Sequence, residues 1–175
     1  MIFTPLSIAG AFLIDLEPRV DSRGSFARAF CKREFAAQGI VFDVVQCNFA
    51  RTLHAGVVRG LHFQEKPADE QKLVRCVAGG VLDALVDMRS DSPTYRAVFY
   101  TQLDSVNRKA LFIPAGVAHG YQTLVDDTEF FYMTDQFYSP GDEKGVRFSD
   151  PALGIPWPLQ ARDVADRDQL WPLLP

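Results

Sequence analysis

The densest group of reactive side chains lies in Gly56-Val57-Val58-Arg59-Gly60-Leu61-His62-Phe63-Gln64, followed shortly by Gln71-Lys72-Leu73-Val74-Arg75. Histidine has the side chain whose ordinary pKa sits nearest neutrality, so His62 is the natural candidate for a general base. Arg59 offers a planar fork that clamps anions, and Lys72 a compact cation. If the two segments are paired strands, the three groups converge on one cavity. Taken alone, His62 fits a structural role equally well, and only its cationic neighbours favour chemistry. A second group, Glu129-Phe130-Phe131-Tyr132-Met133-Thr134, places Tyr132 on one strand face with Phe130 and Thr134. A tyrosine in so apolar a strand is usually core, and the company of His62 makes it a candidate acid. A base, a cation and a phenol are the groups needed to remove a proton beside a ketone, hold the charge on its oxygen, and return a proton across the ring.

A third group, Ile113-Pro114-Ala115-Gly116-Val117-Ala118-His119-Gly120-Tyr121, contains PxGxxH, with Pro and Gly making a tight turn and His119 beginning the next strand. It resembles the second motif of the cupin superfamily and falls where a jelly roll needs a hairpin. A metal cupin would carry an HxH pair, an acid and a later His, because a divalent transition metal needs about three or four converging protein ligands. Here the corresponding stretch reads His62-Phe63-Gln64, and His54 has no partner at ligand spacing. A metal held by His62, Gln64, Glu70 and His119 is the minority alternative; the main reading has no metal. GxSxG, a phosphate loop and GxGxxG are all missing, which leaves acyl transfer, nucleotide hydrolysis and Rossmann redox chemistry without their apparatus.

Short apolar segments must position these groups. Residues 41–49, 57–64, 73–77, 81–88, 97–103, 110–113 and 129–137 are strand-length runs rich in Val, Phe, Tyr and Leu. The breaks between them carry Gly79-Gly80, Ser92-Pro93, Asp126-Asp127 and Ser139-Pro140-Gly141, which tolerate or preset turns. Only residues 32–38, with Gly39 as a stop, and residues 161–170 read as helical, too short to cover a parallel sheet. An all-β antiparallel jelly roll with short peripheral helices follows. In the run 81–87, alternation puts Asp83 and Asp87 on one face with Val81 and Leu85, as acceptors of backbone or Arg hydrogen bonds or as members of a polar cavity.

With 175 residues, one domain over 1–175 is expected. The 14 phenylalanines favour strands and offer stacking faces for planar ligands. A net charge of −4 excludes a nucleic-acid binder that works by broad phosphate neutralisation, although a local Arg and Lys cluster can still hold one diphosphate. Three cysteines without CxxC spacing suggest neither a disulfide framework nor a zinc knuckle. The apolar stretch 8–16 lacks a basic leader and carries Asp15, so no signal peptide or membrane span is expected and the cytoplasm is the default location.

Taken in order, Asp21-Ser22-Arg23-Gly24-Ser25-Phe26, Gln46-Cys47-Asn48, the Gly56 and Gln71 segments, the Ile113 segment, Ser149-Asp150-Pro151 and Ile155-Pro156-Trp157-Pro158 closely resemble the dTDP-4-dehydrorhamnose 3,5-epimerase family. The match runs from about Phe3 to the C-terminus. The resemblance implies a cupin-type jelly roll (double-stranded β-helix), a homodimer with an exchanged N-terminal segment, and inversion of C3 and/or C5 of a nucleotide-linked 4-keto-6-deoxyhexose without metal or organic cofactor. It implies that His62 is the base with Asp168 as its carboxylate partner, that Tyr132 is the acid on the opposite ring face, and that Lys72 stabilises the enolate oxygen. Arg59, His119, Gln46, Asn48 and Glu143 then match substrate contacts, with Arg23, beside Phe26, contributed by the dimer partner.

Two positions depart from the family pattern. Arg28 stands where Glu is usual, reversing charge at a position linked to nucleotide contacts, so the recognised base or sugar can differ. Arg167 replaces the Lys before the dyad Asp, keeping charge and changing donor geometry. Single-site epimerases and keto-sugar isomerases share most of these motifs, and a non-catalytic sugar-binding cupin is a third reading that intact His62, Tyr132, Lys72 and Asp168 oppose.

Overall fold

The computed structural model describes residues 1–174. In chain order the strands are β1 (Ile2–Pro5), β2 (Phe12–Asp15), β3 (Arg19–Asp21), β4 (Gly24–Phe26), β5 (Gln46–Thr52), β6 (Val58–Gln64), β7 (Lys72–Ala78), β8 (Gly80–Asp87), β9 (Val98–Asp104), β10 (Ala110–Ile113), β11 (Val117–Thr123), β12 (Thr128–Thr134) and β13 (Glu143–Gly145). The helices are α1 (Lys32–Ala36) and α2 (Asp166–Leu170), with a 3-10 turn at Pro151–Leu153. One sheet runs β1-β2-β10-β7-β12-β5, the other β13-β6-β11-β8-β9, and β3-β4 forms a separate hairpin. Every pairing between these strands is antiparallel.

Few sheet neighbours are consecutive in sequence, because the chain repeatedly crosses from one sheet to the other, which makes a jelly-roll barrel of the cupin type. The turn at Pro114-Ala115-Gly116 is one such crossing: β10 lies in the six-stranded sheet and β11 in the five-stranded one. The expected hairpin is therefore a corner between sheets.

Three apolar clusters follow from the alternation of the strands. Between the sheets, Val74, Val81, Leu85, Leu103, Leu111, Ile113 and Phe130 pack into a core. On the outer face of the six-stranded sheet, Phe35 of α1, Ile40 and Phe42 cover Ile14, Leu73 and Phe112. Phe35, Phe42 and Phe112 are fully buried, and burying each is worth roughly 1.5–3 kcal/mol. Their rings and those of Phe3 and Phe30 meet largely edge to face, at centroid separations of 5.1–6.1 Å. Much of the phenylalanine content thus goes to a sheet-covering core and not to ligand stacking. The third cluster lies outside the five-stranded sheet, where Leu153, Ile155 and Trp157 of the C-terminal segment cover Leu61, Ala84, Val86 and Ala118.

The expected strand over 41–49 begins only at Gln46, since Phe42 turns outward into the aromatic cluster and the Val41 carbonyl accepts from the Gln71 side chain. The strand expected over 129–137 stops at Thr134, whose hydroxyl donates to the Gln136 carbonyl and closes a bend. In 161–170 only Asp166–Leu170 is helical; upstream, Arg162 bridges to Val57 beside β6. β1 and β2 fall in the N-terminal stretch that no expected strand covered.

β6 and β11 pair with a register irregularity: His119 faces His62, but Tyr121 faces Arg59. Strand β6 thus spends one extra residue at Gly60-Leu61. Simple alternation would place Arg59 and His62, three apart, on opposite faces; the bulge puts both on the inner one. Gly60 has φ +113, and a Cβ there would lie 2.6 Å from the Gly120 Cα. Gly60→Ala should cost on the order of 2–4 kcal/mol, read as a fall of about 5–12 °C in Tm by circular dichroism. A Tm within 1–2 °C of the wild type would show that the bulge tolerates a side chain.

Candidate active site

A cavity of about 790 Å³ opens between the two sheets. Ten of the sequence-predicted residues line it: Gln46, Asn48, Arg59, His62, Lys72, His119, Tyr132, Glu143, Arg167 and Asp168. The sheets supply most of them by alternation. Gln46, Asn48 and Thr52 point inward from β5, Lys72 from β7 and Tyr132 from β12, while β6 and β11 contribute Arg59, His62 and His119 from the opposite sheet.

His62 Nε2 lies 2.6 Å from Asp168 Oδ1. Asp168 is 2% exposed, and its other oxygen accepts the Gly60 N–H at 3.2 Å, so the bulge that orients His62 also anchors its carboxylate. Burial pushes the Asp168 carboxyl up, but the hydrogen bond and charge of His62, the Gly60 amide and Arg167 outweigh it and hold the group below the usual carboxylate range. An ionised Asp168 makes Nε2 the protonated nitrogen and leaves the Nδ1 lone pair free.

Asp168 reaches this place because the C-terminal segment is strapped to the five-stranded sheet. Gln122 exchanges hydrogen bonds with Leu159, donating to its carbonyl at 2.9 Å and accepting its N–H at 3.1 Å. The Arg147 guanidinium donates to the Trp171 carbonyl at 2.8 Å, and Asp150 Oδ2 accepts the Leu174 N–H at 2.6 Å. The Trp171 ring packs on Gly145, where any Cβ would collide with it. The Ser149-Asp150-Pro151 motif is therefore structural: Asp150 also caps the 3-10 turn by accepting the Ala152 N–H at 2.8 Å.

Tyr132 enters from β12, flanked by Asn48 of β5 and Val74 of β7. Burial first, then the charge of Glu70, pushes its phenol up against the opposing pull of Arg59, so it stays loaded with its proton. Lys72 Nζ pairs with Glu70 at 2.8 Å. Deeper in the barrel, His119 Nε2 lies 2.9 Å from Asp83 Oδ2, and its ring stacks on Phe130 with centroids 5.9 Å apart. Burial raises the Asp83 carboxyl against the pull of His119. Asp87, the other carboxylate of that face, instead accepts from Arg89, Ser92 and Thr94 at 2.6–2.8 Å and serves the turn after β8. Burial opposes, and these hydrogen bonds push its carboxyl far below the ordinary range.

On the rim, Glu143 Oε2 accepts from Arg167 at 2.6 Å and from the Tyr138 hydroxyl at 3.2 Å, while Oε1 lies 3.8 Å from His62 Nδ1. Tyr138, and Asp83 as the partner of His119, were missed as site residues by sequence reasoning, and Glu70, named only as a ligand in the alternative metal reading, is instead the partner of Lys72. The aligned carboxylates of the 81–87 run were the signal for Asp83; Tyr138 and Glu70 sit in irregular connecting segments with no period to flag them.

Arg23, Phe26 and Arg28 lie outside the lining of this cavity. Arg23 pairs with Asp21 at 2.7 Å on the β3-β4 hairpin, Phe26 is 74% exposed beside it, and Arg28 pairs with Glu34 at 2.9 Å. The four side chains of the alternative metal reading have other partners: Gln64 is spent on the Ala68 and Phe137 carbonyls and the Ser139 N–H, Glu70 on Lys72, His119 on Asp83 and His62 on Asp168. Among the described residues, no group of three or more His, Cys, Asp or Glu side chains is arranged to hold a metal ion.

The family model described as dTDP-4-dehydrorhamnose 3,5-epimerase matches residues 5–175. A dTDP-4-dehydrorhamnose 3,5-epimerase of Shigella flexneri is 42% identical over 155 residues, covering 87% of this chain and 85% of the relative. A dTDP-4-dehydrorhamnose 3-epimerase of Streptomyces niveus is 38% identical, covering 97% and 82%. The crystal structure of the dTDP-4-dehydrorhamnose 3,5-epimerase of Bacillus anthracis, with TDP and pyrophosphate bound, superposes with a TM-score of 0.94 at 35% identity, covering 99% of both chains.

The buried bond to His62 carries a pH signature. A carboxyl held below its ordinary value stabilises the fold fully above that ordinary value, about 3.9, and loses its contribution as pH falls through the depressed folded one. Asp168→Asn should cost about 1.5–3 kcal/mol at pH 7. In paired thermal melts the deficit should shrink as pH drops below about 4; a deficit constant down to pH 2 would deny the ionised carboxylate.

Proposed function

Because the chain belongs to the dTDP-4-dehydrorhamnose 3,5-epimerase family, we propose that it inverts C3 and C5 of a dTDP-linked 4-keto-6-deoxyhexose, in deoxysugar biosynthesis. The observation that carries the reading is an imidazole backed by a buried carboxylate and a proton-loaded phenol, reaching one cavity from opposite sheets. His62 Nδ1 takes the proton from the ring carbon beside the ketone. The C–H electron pair moves into an enolate whose charge rests on the C4 oxygen, and Lys72 with Arg59 supplies positive charge there. Tyr132 gives its proton to the same carbon from the other face, which inverts the centre. Asp168 holds the imidazole in the Nδ1-acceptor tautomer and stabilises the imidazolium once it forms. The ketone is the electron sink, so this scheme calls on no cofactor.

Gln46, Asn48 and His119 are assigned to contacts with the sugar or the nucleotide, and Arg59 to the diphosphate as well. We assign Arg23 and Phe26 to the site of a second protomer in a homodimer, with residues 1–175 acting as one domain. Their place on an exposed hairpin that does not line their own cavity supports the exchange. Arg28 is given to the nucleotide side of the same shared site. The three cysteines are free, which suits a reducing cytoplasm.

With dTDP-4-keto-6-deoxyglucose in heavy water, wild-type protein should place deuterium at the inverted carbons, followed by proton NMR. His62→Asn should abolish incorporation, and Tyr132→Phe should lower inversion by about 10²–10⁴-fold. Full exchange by the His62 variant, or an unchanged product and rate with Tyr132→Phe, would reject the assignment. The same spectra separate two inversions from the single one that the Streptomyces niveus relative's name records.

A further inference from the structure

We propose that Glu143 relays the abstracted proton from His62 to solvent, resetting the base while the sugar is still bound; this rests on the epimerase reading above. The need comes from stoichiometry. Each inversion leaves an imidazolium and a phenolate, and neither can repeat its role until a proton has left one and reached the other. A sugar inverted at two carbons in one residence requires that reset inside the occupied cavity.

The geometry supplies one route. At Nε2, Asp168 is nearly sealed from solvent, receives the Gly60 amide, and is held as a carboxylate, so it is a poor exit. At Nδ1, the facing carboxylate is Glu143, at 3.8 Å. A shift of about 1 Å would bring it within hydrogen-bond reach. Its Oε2 is occupied by Arg167 and Tyr138, which leaves Oε1 for His62. Strand pairing fixes the approach, since β13 sets Gly145 against His62 and Glu143 against Gln64 on β6. Arg167 and Tyr138, which hold its Oε2, are both about half exposed, and the Glu143 side chain itself keeps 12% of its surface accessible, against 3% for that of Asp168.

The steps balance without a co-reactant. The ring C–H bond breaks and His62 Nδ1 gains the proton, the electron pair remaining in the enolate. The imidazolium passes that proton to Glu143 Oε1 and becomes neutral. The Glu143 carboxylic acid then releases it to water at the rim. Tyr132, having given its own proton to carbon, recovers one from solvent. No bond to the sugar other than C–H is made or broken.

The measurement follows substrate deuterated at C3 and C5 and turned over in ordinary water. Two quantities are read by NMR and mass spectrometry: deuterium lost from recovered, uninverted substrate, and inversion. Loss without inversion reports how often His62 exchanges its proton before returning it to the same face. In Glu143→Gln the ratio of washout to inversion should fall about tenfold, because the neutral amide cannot take the proton. Added formate should raise the ratio of that variant towards wild type. Glu143→Asp, with its carboxylate one methylene further back, should fall between the two and decides the matter if the Gln variant does not fold. A wild-type ratio in a folded variant overturns the relay. So does an equal fall in both quantities, which would assign Glu143 to substrate binding alone. Wild-type protein that neither exchanges nor inverts would instead reject the epimerase reading, and so separates the two failures.

Discussion

The contact between His62 and Asp168 is the constraint from which the rest of the architecture follows. It joins residues 106 apart in sequence, one on an inner strand and the other on a five-residue helix that could not stand alone in water. A helix so short can present a carboxylate to within a few tenths of an ångström only if something else holds it. The long C-terminal segment does this, with Leu153, Ile155 and Trp157 on the outer face of the five-stranded sheet and Trp171 against Gly145. The apolar burial outside the barrel is thus coupled to proton chemistry inside it.

A second condition is that strand alternation be broken at one point. A regular β6 would send either Arg59 or His62 into the outer cluster, where Leu61 lies instead. The extra residue at Gly60-Leu61 keeps both inward and frees the Gly60 amide from the ladder, and that amide is the one that binds Asp168. Two facing glycines are the cost in sequence freedom, since a Cβ on either Gly60 or Gly120 would strike the backbone opposite. Bulges often sit beside reactive groups for this reason: they re-aim a side chain and release a donor together.

How much of this was legible in the sequence depended on periodicity. Strands β6 to β10 and β12 followed from runs of alternating apolar residues, and the inward set of His62, Lys72 and Tyr132 came with them. The apolar run at 41–45 carried the same composition but covers a sheet from outside, a difference made by partners in β7 and β10 that a local window cannot see. The hairpin at 114–116 became a crossing between sheets for the same reason, because which sheet a strand joins is a long-range choice. Asp168 had no local signal at all; its role came only with the family resemblance, and the coordinates set it against the imidazole through a strap of mostly irregular backbone. Arg23, Phe26 and Arg28 matched family positions, yet nothing within the chain turns them towards the cavity.

The charge inventory of the cavity bears on that last point. Lys72 faces Glu70 and Arg167 faces Glu143, so these cations that line the cavity arrive already compensated. Arg51 is spent on Asp127 at the edge. Arg59, whose Nε donates to Thr52, is the lining arginine with no carboxylate partner among the described residues. One arginine is a thin clamp for a doubly esterified, dianionic diphosphate, particularly in a chain of net charge −4. The β3-β4 hairpin carries an exposed Arg19, and Arg23 held by Asp21, beside an exposed Phe26. Placed over the cavity of a second copy, it would supply the missing positive charge together with an aromatic face for the base. One uncompensated arginine inside and an exposed Arg19 outside are what a site shared between two copies would bring together.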